Sequence, residues 1–440
     1  MSVWFIILVS CVGILLPLAL NSEIGPTYAN KKLITAMPRI ANSLGSSDQS
    51  GDEWPMFHGA LNHTGTIITT PVQGTGLTWK FDTGSFVECS PAVTCGHVYV
   101  GCDNGNFYCL DSASGTPIWT FNTRSDIGFS SPAVAGDRVY VGTDNQIIYC
   151  LDAASGASIW SFTFPGYGYV SPSVYDGRII FGGGFRDNNV YCLNASTGSK
   201  LWNRTTGGYV ESSPAIVAGR VYIGNDDNKT YCLDANNGTV IWLCNADGKV
   251  KSSPAVWNGR VYVESWGTKV LCINATTGIS LWNFTTGGGL SSPAIASDRL
   301  FIGSEDHNIY CLDAITGGLI WKFTTNEYIG NSFAVSGNYV YGVGSDFNIY
   351  CLNALSSALN WSYDVSGSVK GSIAIAGGHL FFGSCDDNVY CLPMILVPSS
   401  SRPTDYTLII WLVIAGVSVG FIALSYYLLS RARKRSFQKI

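Results

Sequence analysis

Residues 309–321, IYCLDAITGGLIW, are one copy of a unit that recurs through most of this 440-residue chain. Each copy has two landmarks, a cysteine in a Tyr-Cys-Leu run and a tryptophan further along. The tryptophans are 39–42 residues apart, at Trp79, Trp119, Trp160, Trp202, Trp242, Trp282, Trp321 and Trp361. The cysteines are Cys109, Cys150, Cys192, Cys232, Cys272, Cys311, Cys351 and Cys391. A period near 40 residues, with short β-rich runs and no helical periodicity, predicts the blades of a β-propeller.

Each unit contains four predicted strands. In residues 129–163 they are SSPAV, RVYVG, IIYCLD and SIWSFT, separated by turns rich in Gly, Asp and Asn. The predicted fold class is therefore all-β: an eight-bladed propeller of four-stranded antiparallel blades, over residues 76–392.

The order of the landmarks predicts how the ring closes. Trp79 comes before any Tyr-Cys-Leu run, and the last unit stops after its third strand, where Pro393 replaces the Asp or Asn of seven other units. A strand at residues 76–81 would therefore complete the last blade, and no open end of the ring would be exposed.

The run D/N-A-x-T/S-G-x-x-x-W, as in NASTGSKLW (194–202) and DAITGGLIW (313–321), resembles the tryptophan-docking motif of pyrroloquinoline-quinone (PQQ) repeat propellers. Only the copy at 353–357 lacks the glycine. WPMFHGALNHTG (54–65) resembles the lead-in that precedes such propellers. The resemblance implies that the eight tryptophans clamp adjacent blades. It leaves function open, because the family holds quinoprotein dehydrogenases as well as non-enzymatic scaffolds such as the outer-membrane assembly lipoprotein of Gram-negative bacteria.

The sequence does not supply the residues of a quinoprotein dehydrogenase. There is no Cys-Cys dipeptide, no Cys-x-x-Cys-His haem site and no P-loop, and neither a calcium set nor a catalytic base can be matched. Loops such as GNDDNK (224–229) and GSEDHN (303–308) could supply calcium ligands, but Asp, Asn and Gly are also ordinary turn residues. We therefore assign no catalytic residue, metal ligand or cofactor. PQQ and calcium belong only to the alternative hypothesis of an enzyme.

Composition excludes two classes of protein. Charged residues make up only 12% of the chain and aromatic residues 13%, which excludes a disordered chain. The net charge is −5, and because the last ten residues hold five bases and no acid, residues 1–430 carry −10. A surface of this sign repels phosphate, so no nucleic-acid partner is expected.

The two ends of the chain predict a membrane anchor. Residues 1–29 hold an apolar run typical of a secretory signal, or of an uncleaved anchor because no base precedes it. Residues 30–75 form the lead-in and 393–407 a linker. Residues 408–429 are long and apolar enough to span a bilayer, and the basic tail 430–440 is expected in the cytoplasm. The predicted location is the cell membrane, single-pass, with the propeller outside.

A ring of side chains near the proline of each first strand is the candidate binding funnel. Glu211 and Lys251 lie at the same register of neighbouring units, as do Lys370 and Glu88 once the ring closes. Two inter-blade ion pairs are the simpler interpretation. The alternative is a polar funnel for a glycan or peptide, whose aromatic members would be Phe129, Tyr167, Tyr169, Tyr209, Trp266 and Tyr328. The residue before the proline position is Ser in all eight units, from Ser90 to Ser372.

Most of the cysteines are predicted to be free. The eight in third strands face neighbouring sheets about 10 Å away, beyond the reach of a disulfide. Cys89 and Cys102 differ, because the turn at Cys95 and Gly96 places them opposite one another across a non-hydrogen-bonded site. We predict a disulfide between these two.

These observations lead to three hypotheses. The first is a membrane-anchored binding or scaffold module, monomeric, with envelope or surface proteins or glycans as partners. The second is a PQQ-dependent oxidoreductase, and the third is a purely structural envelope protein. A glycosylated, archaeal-like surface protein is consistent with the sequons at Asn62, Asn194, Asn203, Asn228, Asn237, Asn274, Asn283 and Asn360.

Overall fold

The computed structural model describes residues 53–168 and 170–397. Eight four-stranded antiparallel sheets follow one another along the chain. Blade 1 comprises Ala92–Thr94, His97–Gly101, Asn106–Asp111 and Pro117–Asn122; blade 2, Ala133–Ala135, Arg138–Thr143, Ile147–Asp152 and Ser158–Thr163; blade 3, Ser173–Tyr175, Arg178–Gly182, Asn189–Asn194 and Lys200–Thr205; blade 4, Ala215–Val217, Arg220–Asn225, Lys229–Asp234 and Val240–Asn245; blade 5, Ala255–Trp257, Arg260–Glu264, Lys269–Asn274 and Ser280–Thr285; blade 6, Ala294–Ala296, Arg299–Gly303, Asn308–Asp313 and Leu319–Thr324; blade 7, Ala334–Ser336, Tyr339–Val343, Asn348–Asn353 and Leu359–Asp364; and blade 8, Ala374–Ala376, His379–Gly383, Asn388–Pro393 and Trp79–Asp82.

The fourth strand of blade 8 comes from the other end of the propeller sequence, as predicted. Trp79–Asp82 pairs antiparallel with Asn388–Pro393. The first strands of consecutive blades contact one another around the ring, and Ala374–Ala376 of blade 8 contacts Ala92–Thr94 of blade 1. The predicted eight-bladed ring, closed by the N-terminal strand, is thus confirmed. Within the described residues no helix is long and apolar enough to cross a bilayer, and the predicted segments at 1–29 and 408–429 lie outside those residues.

The two sequence landmarks are cross-strand neighbours. In each blade the third-strand cysteine pairs with the fourth-strand tryptophan, as Cys109 does with Trp119 and Cys391 with Trp79. The predicted register between first and second strands is also right, but the first strand is shorter than predicted. It begins one residue after the proline position, at Ala133 in blade 2, and it begins at the same register in blades 7 and 8, where Phe333 and Ile373 replace the proline.

Tryptophan side chains join each blade to the next, as the family resemblance implied. The eight indole N–H groups donate to main-chain carbonyls of the following blade at 2.9–3.2 Å. Trp79 of blade 8 donates to Ser112 O of blade 1, so the same bond also closes the ring. In five blades a tyrosine hydroxyl reaches the same carbonyl, as Tyr262 and Trp282 do at Ala314 O.

The glycine of the repeated motif makes room for the indole ring. At Gly278 a Cβ atom would come within 2.7 Å of Trp242, and the backbone φ is +75°. Both the close approach and the positive φ favour glycine. The copy that lacks glycine has Ser357 there, at a φ of 61°.

A second ring of hydrogen bonds lies near the channel. The serine that precedes the proline position is buried in every unit, with at most 6% of its surface exposed. At six of the eight boundaries the backbone N–H of one serine donates to the hydroxyl of the serine in the next blade at 2.7–3.2 Å, including from Ser372 of blade 8 to Ser90 of blade 1. Backbone groups at the inner edge of the blades thereby gain partners from the neighbouring blade.

The lead-in lies inside the propeller rather than before it. Its backbone runs past the middle residue of successive first strands and accepts a hydrogen bond from each at 2.7–2.8 Å: Trp54 O from Val93 N, Pro55 O from Val134 N, Leu61 O from Ile216 N, Asn62 O from Val256 N, Thr64 O from Ile295 N and Gly65 O from Val335 N. Thr66–Ile67 then pairs in parallel with the first strand of blade 7, and Gln73–Gly74 pairs with Ile395–Leu396. These bonds cover the exposed inner edges of six blades.

The cysteines are free throughout the described residues, and the predicted disulfide between Cys89 and Cys102 is therefore not formed. Strand pairing stops at Ala92, so Cys89 leaves the predicted register. Its sulfur accepts a hydrogen bond from Gly101 N at 3.2 Å, whereas the Cys102 thiol donates to Ser85 O. The eight third-strand cysteines are buried and free, as predicted.

Replacement of Trp79 should test the closing contact. The side chain is 8% exposed, so Trp79→Ala should lower the free energy of unfolding by about 3–5 kcal/mol. Trp79→Phe keeps much of the packing and loses the indole hydrogen bond, and should cost less. Urea unfolding of both variants measures this difference, and equal stability of Trp79→Ala and wild type would contradict the role of the clamp.

Two histidines in the lead-in should make the propeller sensitive to acid. Burial lowers the pKa of His58 to about 4. Burial also lowers the pKa of His63, to about 3, and the neighbouring His58 adds to this shift. The unfolded chain takes up these protons below about pH 6.5, so stability should fall from that pH down to the folded-state pKa values. The double variant His58→Asn and His63→Asn should lose less stability between pH 7 and pH 4. The control is His307→Asn. His307 has a positive backbone φ, as His58 and His63 do, but its side chain is exposed, so this variant should keep the wild-type pH dependence.

Candidate binding face

Two sets of loops form one face of the ring, here called the loop face. They are the inter-blade loops, which join a fourth strand to the next first strand, and the 2–3 loops within each blade. Backbone hydrogen bonds join the two sets, for example Asp103 N to Phe86 O and Ser345 N to Tyr328 O. The opposite side, here called the turn face, carries the short 1–2 and 3–4 turns. The lead-in lies near the turn face, where Glu53 Oε1 accepts a hydrogen bond from Cys95 N.

The exposed aromatic side chains gather on the loop face. Six aromatic side chains in the described residues are 40–49% exposed, and every one belongs to an inter-blade or 2–3 loop: Phe86, Tyr167, Phe185, Trp266, Tyr328 and Phe347. Leu290, in the inter-blade loop before blade 6, is 46% exposed. Single exposed apolar residues are ordinary, but a set confined to one face is typical of an interaction surface.

The first predicted ion pair is formed and carries an aromatic side chain. Lys251 Nζ lies 2.9 Å from Glu211 Oε2 across the boundary between blades 4 and 5. The same ammonium group lies 5.1 Å from the centre of the Trp266 ring. The ion pair of the simpler interpretation is thus formed, and the Trp266 ring shares its cation.

The second predicted ion pair joins the last blade to the first. Lys370 Nζ lies 2.7 Å from Glu88 Oε1, and 5.6 Å from the centre of the Phe129 ring. The hydrogen bond to Glu88 raises the pKa of Lys370. The register predicted for neighbouring blades is therefore confirmed for both ion pairs, Lys251 with Glu211 and Lys370 with Glu88.

A third cluster includes residues that the sequence did not identify. Arg186 stacks over both Tyr167 and Phe185, at 5.8 and 5.4 Å, and Phe185 packs edge-on against Tyr209 at 5.1 Å. The sequence identified Tyr167 and Tyr209 but missed the other two, which lie in GGFRDN (183–188), the longest of the 2–3 loops. The extra length of that loop is the sequence feature that could have identified Phe185 and Arg186. Tyr169 lies outside the described residues.

Carboxylates crowd the loop face at blades 1 and 2. Burial, together with the nearby Glu88, Asp126 and Asp144, raises the pKa of Asp103 to about 6. Burial also raises the pKa of Asp144, with Asp126 as the next contribution. Asp103 Oδ1 accepts a hydrogen bond from Gly128 N, whereas Asp144 Oδ1 is buried without a partner. Like charges are therefore held close together here.

Other loop-face carboxylates hold the loops in shape. In five blades a third-strand tyrosine hydroxyl donates to the aspartate four residues earlier, at 2.5–2.7 Å, and these aspartates are Asp187, Asp227, Asp306, Asp346 and Asp386. Among the described residues no group of three or more His, Cys, Asp or Glu side chains is placed to hold a metal ion.

Glu264 departs from the repeat in the interior of the ring. In six blades a glycine at or next to the end of the second strand packs against an aliphatic side chain of the following inter-blade loop, as Gly224 does against Val250. Blade 5 ends instead in Glu264, which is fully buried, and the facing residue is Gly289. Glu264 Oε1 accepts a hydrogen bond from the Thr286 hydroxyl at 3.1 Å, and Oε2 has no partner. Burial raises the pKa of this carboxyl well above its usual range.

The turn face has a cleft of its own. An open cleft of about 520 Å³ lies between blades 8 and 1, and its lining includes Glu53, Cys95, His379 and Phe381. It adjoins the ring closure and the start of the lead-in, and the exposed aromatic side chains are on the other side of the ring.

Comparison with known proteins identifies the family. The model of the family described as outer membrane protein assembly factor BamB matches residues 65–161, 103–208 and 186–392, which together span most of the chain. The chain belongs to this BamB family of PQQ-like propellers. Among curated protein sequences none matches the chain.

Solved structures of several BamB-like and quinoprotein propellers share the fold. BamB from Moraxella catarrhalis is 16% identical and has a TM-score of 0.64, with 73% of this chain and 100% of that chain covered. The quinohemoprotein alcohol dehydrogenase from Comamonas testosteroni is 12% identical and has a TM-score of 0.69, with 79% of this chain and 81% of that chain covered. At these identities the likeness concerns the fold alone.

We assign no residues to a quinone–calcium centre. The sequence has no Cys-Cys pair, and the described acidic loops do not place three metal-binding side chains together. We therefore derive no chemical step through a quinone.

Glu264→Gln should stabilise the protein at neutral and alkaline pH. Because burial raises the pKa of Glu264 in the folded chain, the folded chain holds this proton to a higher pH than the unfolded chain, and wild-type stability is lost as pH rises. Glutamine removes this loss, and the variant should be more stable than wild type at pH 8. The gain should shrink towards pH 4, as measured by urea unfolding at both pH values. Glu327→Gln, at an exposed loop position, should leave stability nearly unchanged; an equal gain there would contradict the assignment to burial.

Proposed function

We propose that this chain is a non-catalytic binding module, anchored in the membrane by residues 408–429 and displaying its propeller outside the cell. The loop face is its docking surface. The supporting observation is that the exposed aromatic side chains of the described residues all lie on this one face. Aromatic side chains supply large contact areas at low entropic cost and dominate binding energy at protein interfaces.

The rest of the molecule is consistent with a scaffold. The ring is fixed by clamps between every pair of blades, so the loops of the binding face start from rigid positions. The family is described as an assembly factor, which fits a protein partner. A glycan partner or a purely structural role would appear as the absence of a captured protein partner in the experiment below.

Capture of partners from the cell envelope tests the proposal. The tagged full-length chain would be crosslinked in its own membranes, purified and analysed by mass spectrometry. The double variant Trp266→Ala and Tyr328→Ala, at side chains 47% and 48% exposed, should lose at least one specific partner. The matched control is Ile279→Ala with Leu355→Ala, which changes exposed side chains of the turn face and should retain it. The same partners with both double variants, or none with wild type, would overturn the proposal.

A further inference from the structure

The loop face is acidic as well as aromatic. Its inter-blade and 2–3 loops hold fifteen Asp and Glu residues and five Lys and Arg residues. The acids are Glu88, Asp103, Asp126, Asp144, Asp187, Glu211, Asp226, Asp227, Asp247, Glu305, Asp306, Glu327, Asp346, Asp386 and Asp387; the bases are Arg124, Arg186, Lys249, Lys251 and Lys370.

Most bases of this face already form ion pairs. Lys249 pairs with Asp226 at 2.8 Å, and Lys251 and Lys370 form the two ion pairs described above. Lys229, at the start of a third strand beside this face, pairs with Asp227 at 3.0 Å. Arg186 stacks on two aromatic rings. Most of the acids therefore have no basic partner on the same face, and their field extends outward into solvent.

The turn face has a smaller imbalance. Its 1–2 and 3–4 turns hold three aspartates and no base. Four more aspartates end third strands beside the 3–4 turns (Asp111, Asp152, Asp234 and Asp313), and five arginines begin second strands beside the 1–2 turns (Arg138, Arg178, Arg220, Arg260 and Arg299). Of the turn aspartates, Asp137 and Asp176 pair with Arg138 and Arg178, at 3.6 and 2.7 Å. The excess of negative charge is thus larger on the face that also carries the exposed aromatic side chains.

The charge selects among classes of partner. Nucleic acids, acidic lipid headgroups and sulfated glycans would be repelled, and a neutral glycan would gain nothing from the net charge. Ammonium and guanidinium groups gain from the field and can also stack on aromatic rings. The molecule already shows this stacking, in the contact of Lys251 with Trp266 at 5.1 Å.

We propose that the loop face binds a lysine- and arginine-rich segment of a protein partner, an inference that rests on the proposed binding function. The carboxylates of blades 1 and 2, Asp103, Asp126 and Asp144, are a place where an added cation would relieve repulsion. Burial is the main cause that raises the pKa of Asp103 to about 6, and the charges of Glu88, Asp126 and Asp144 add to it.

Peptide binding to the purified full-length chain tests this inference. The probe is a fluorescein-labelled peptide rich in lysine and arginine, of about ten residues, and the comparison probe has glutamate at every basic position. The basic peptide should bind, and binding should weaken as NaCl rises from about 50 to about 300 mM. The glutamate peptide should not bind.

Charge-neutral variants locate the binding site. Asp103→Asn, Asp126→Asn and Asp144→Asn together should weaken binding about tenfold at low salt and make it less salt-dependent. The matched control carries Asp137→Asn, Asp176→Asn and Asp298→Asn on the turn face and should bind like wild type. Circular dichroism would establish that both variants are folded.

Two results would overturn the inference: absence of binding by the basic peptide, or equal weakening by the two triple variants. Its failure is distinguishable from failure of the proposed function. If Trp266→Ala with Tyr328→Ala still loses a natural partner while the basic peptide does not bind, the face is a docking surface for a partner of other chemistry.

Discussion

The indole N–H of one blade, donated to a main-chain carbonyl of the next, is the interaction on which this structure depends. Each blade is a four-stranded sheet with apolar faces that cannot be stable alone. The clamp occurs at all eight boundaries. Because the same bond recurs at each boundary, the eight blades keep one register around the ring.

The clamp explains the positions of the ion pairs. Because each blade repeats the same step, residues at one register of the repeat become neighbours across a boundary. Glu211 meets Lys251 for this reason, and Lys370 meets Glu88 although they are far apart in sequence. The exposed aromatic residues occur at several registers, in two kinds of loop, and only the common face of those loops brings them together.

The repeat was the part of the structure that sequence could predict. The period of Trp and Cys residues predicted the blades, their register and the closing strand, because regular pairing imposes regular spacing. The course of the lead-in could not be predicted, since a segment that bonds to six different blades has no period of its own. The strand register also predicted a disulfide that is not formed. Pairing of the first two strands of blade 1 ends at Ala92, so Cys89 is not held opposite Cys102. The exposure of Phe185 depends on the shape of one long loop. Glu264 could have been found as the acid at a position that is glycine in most units.

The path of the lead-in has a consequence for how the protein folds. Residues 54–65 are synthesised before any blade, yet their hydrogen-bond partners extend from Val93 to Val335, and Trp79 needs Cys391 as its neighbour on the adjacent strand. Contacts so distant in sequence slow folding, because the loops between them must close first. The strand Trp79–Asp82 must therefore wait without its neighbouring strand until the last blade has emerged, which leaves the growing chain open to aggregation and to exchange of strands with another copy.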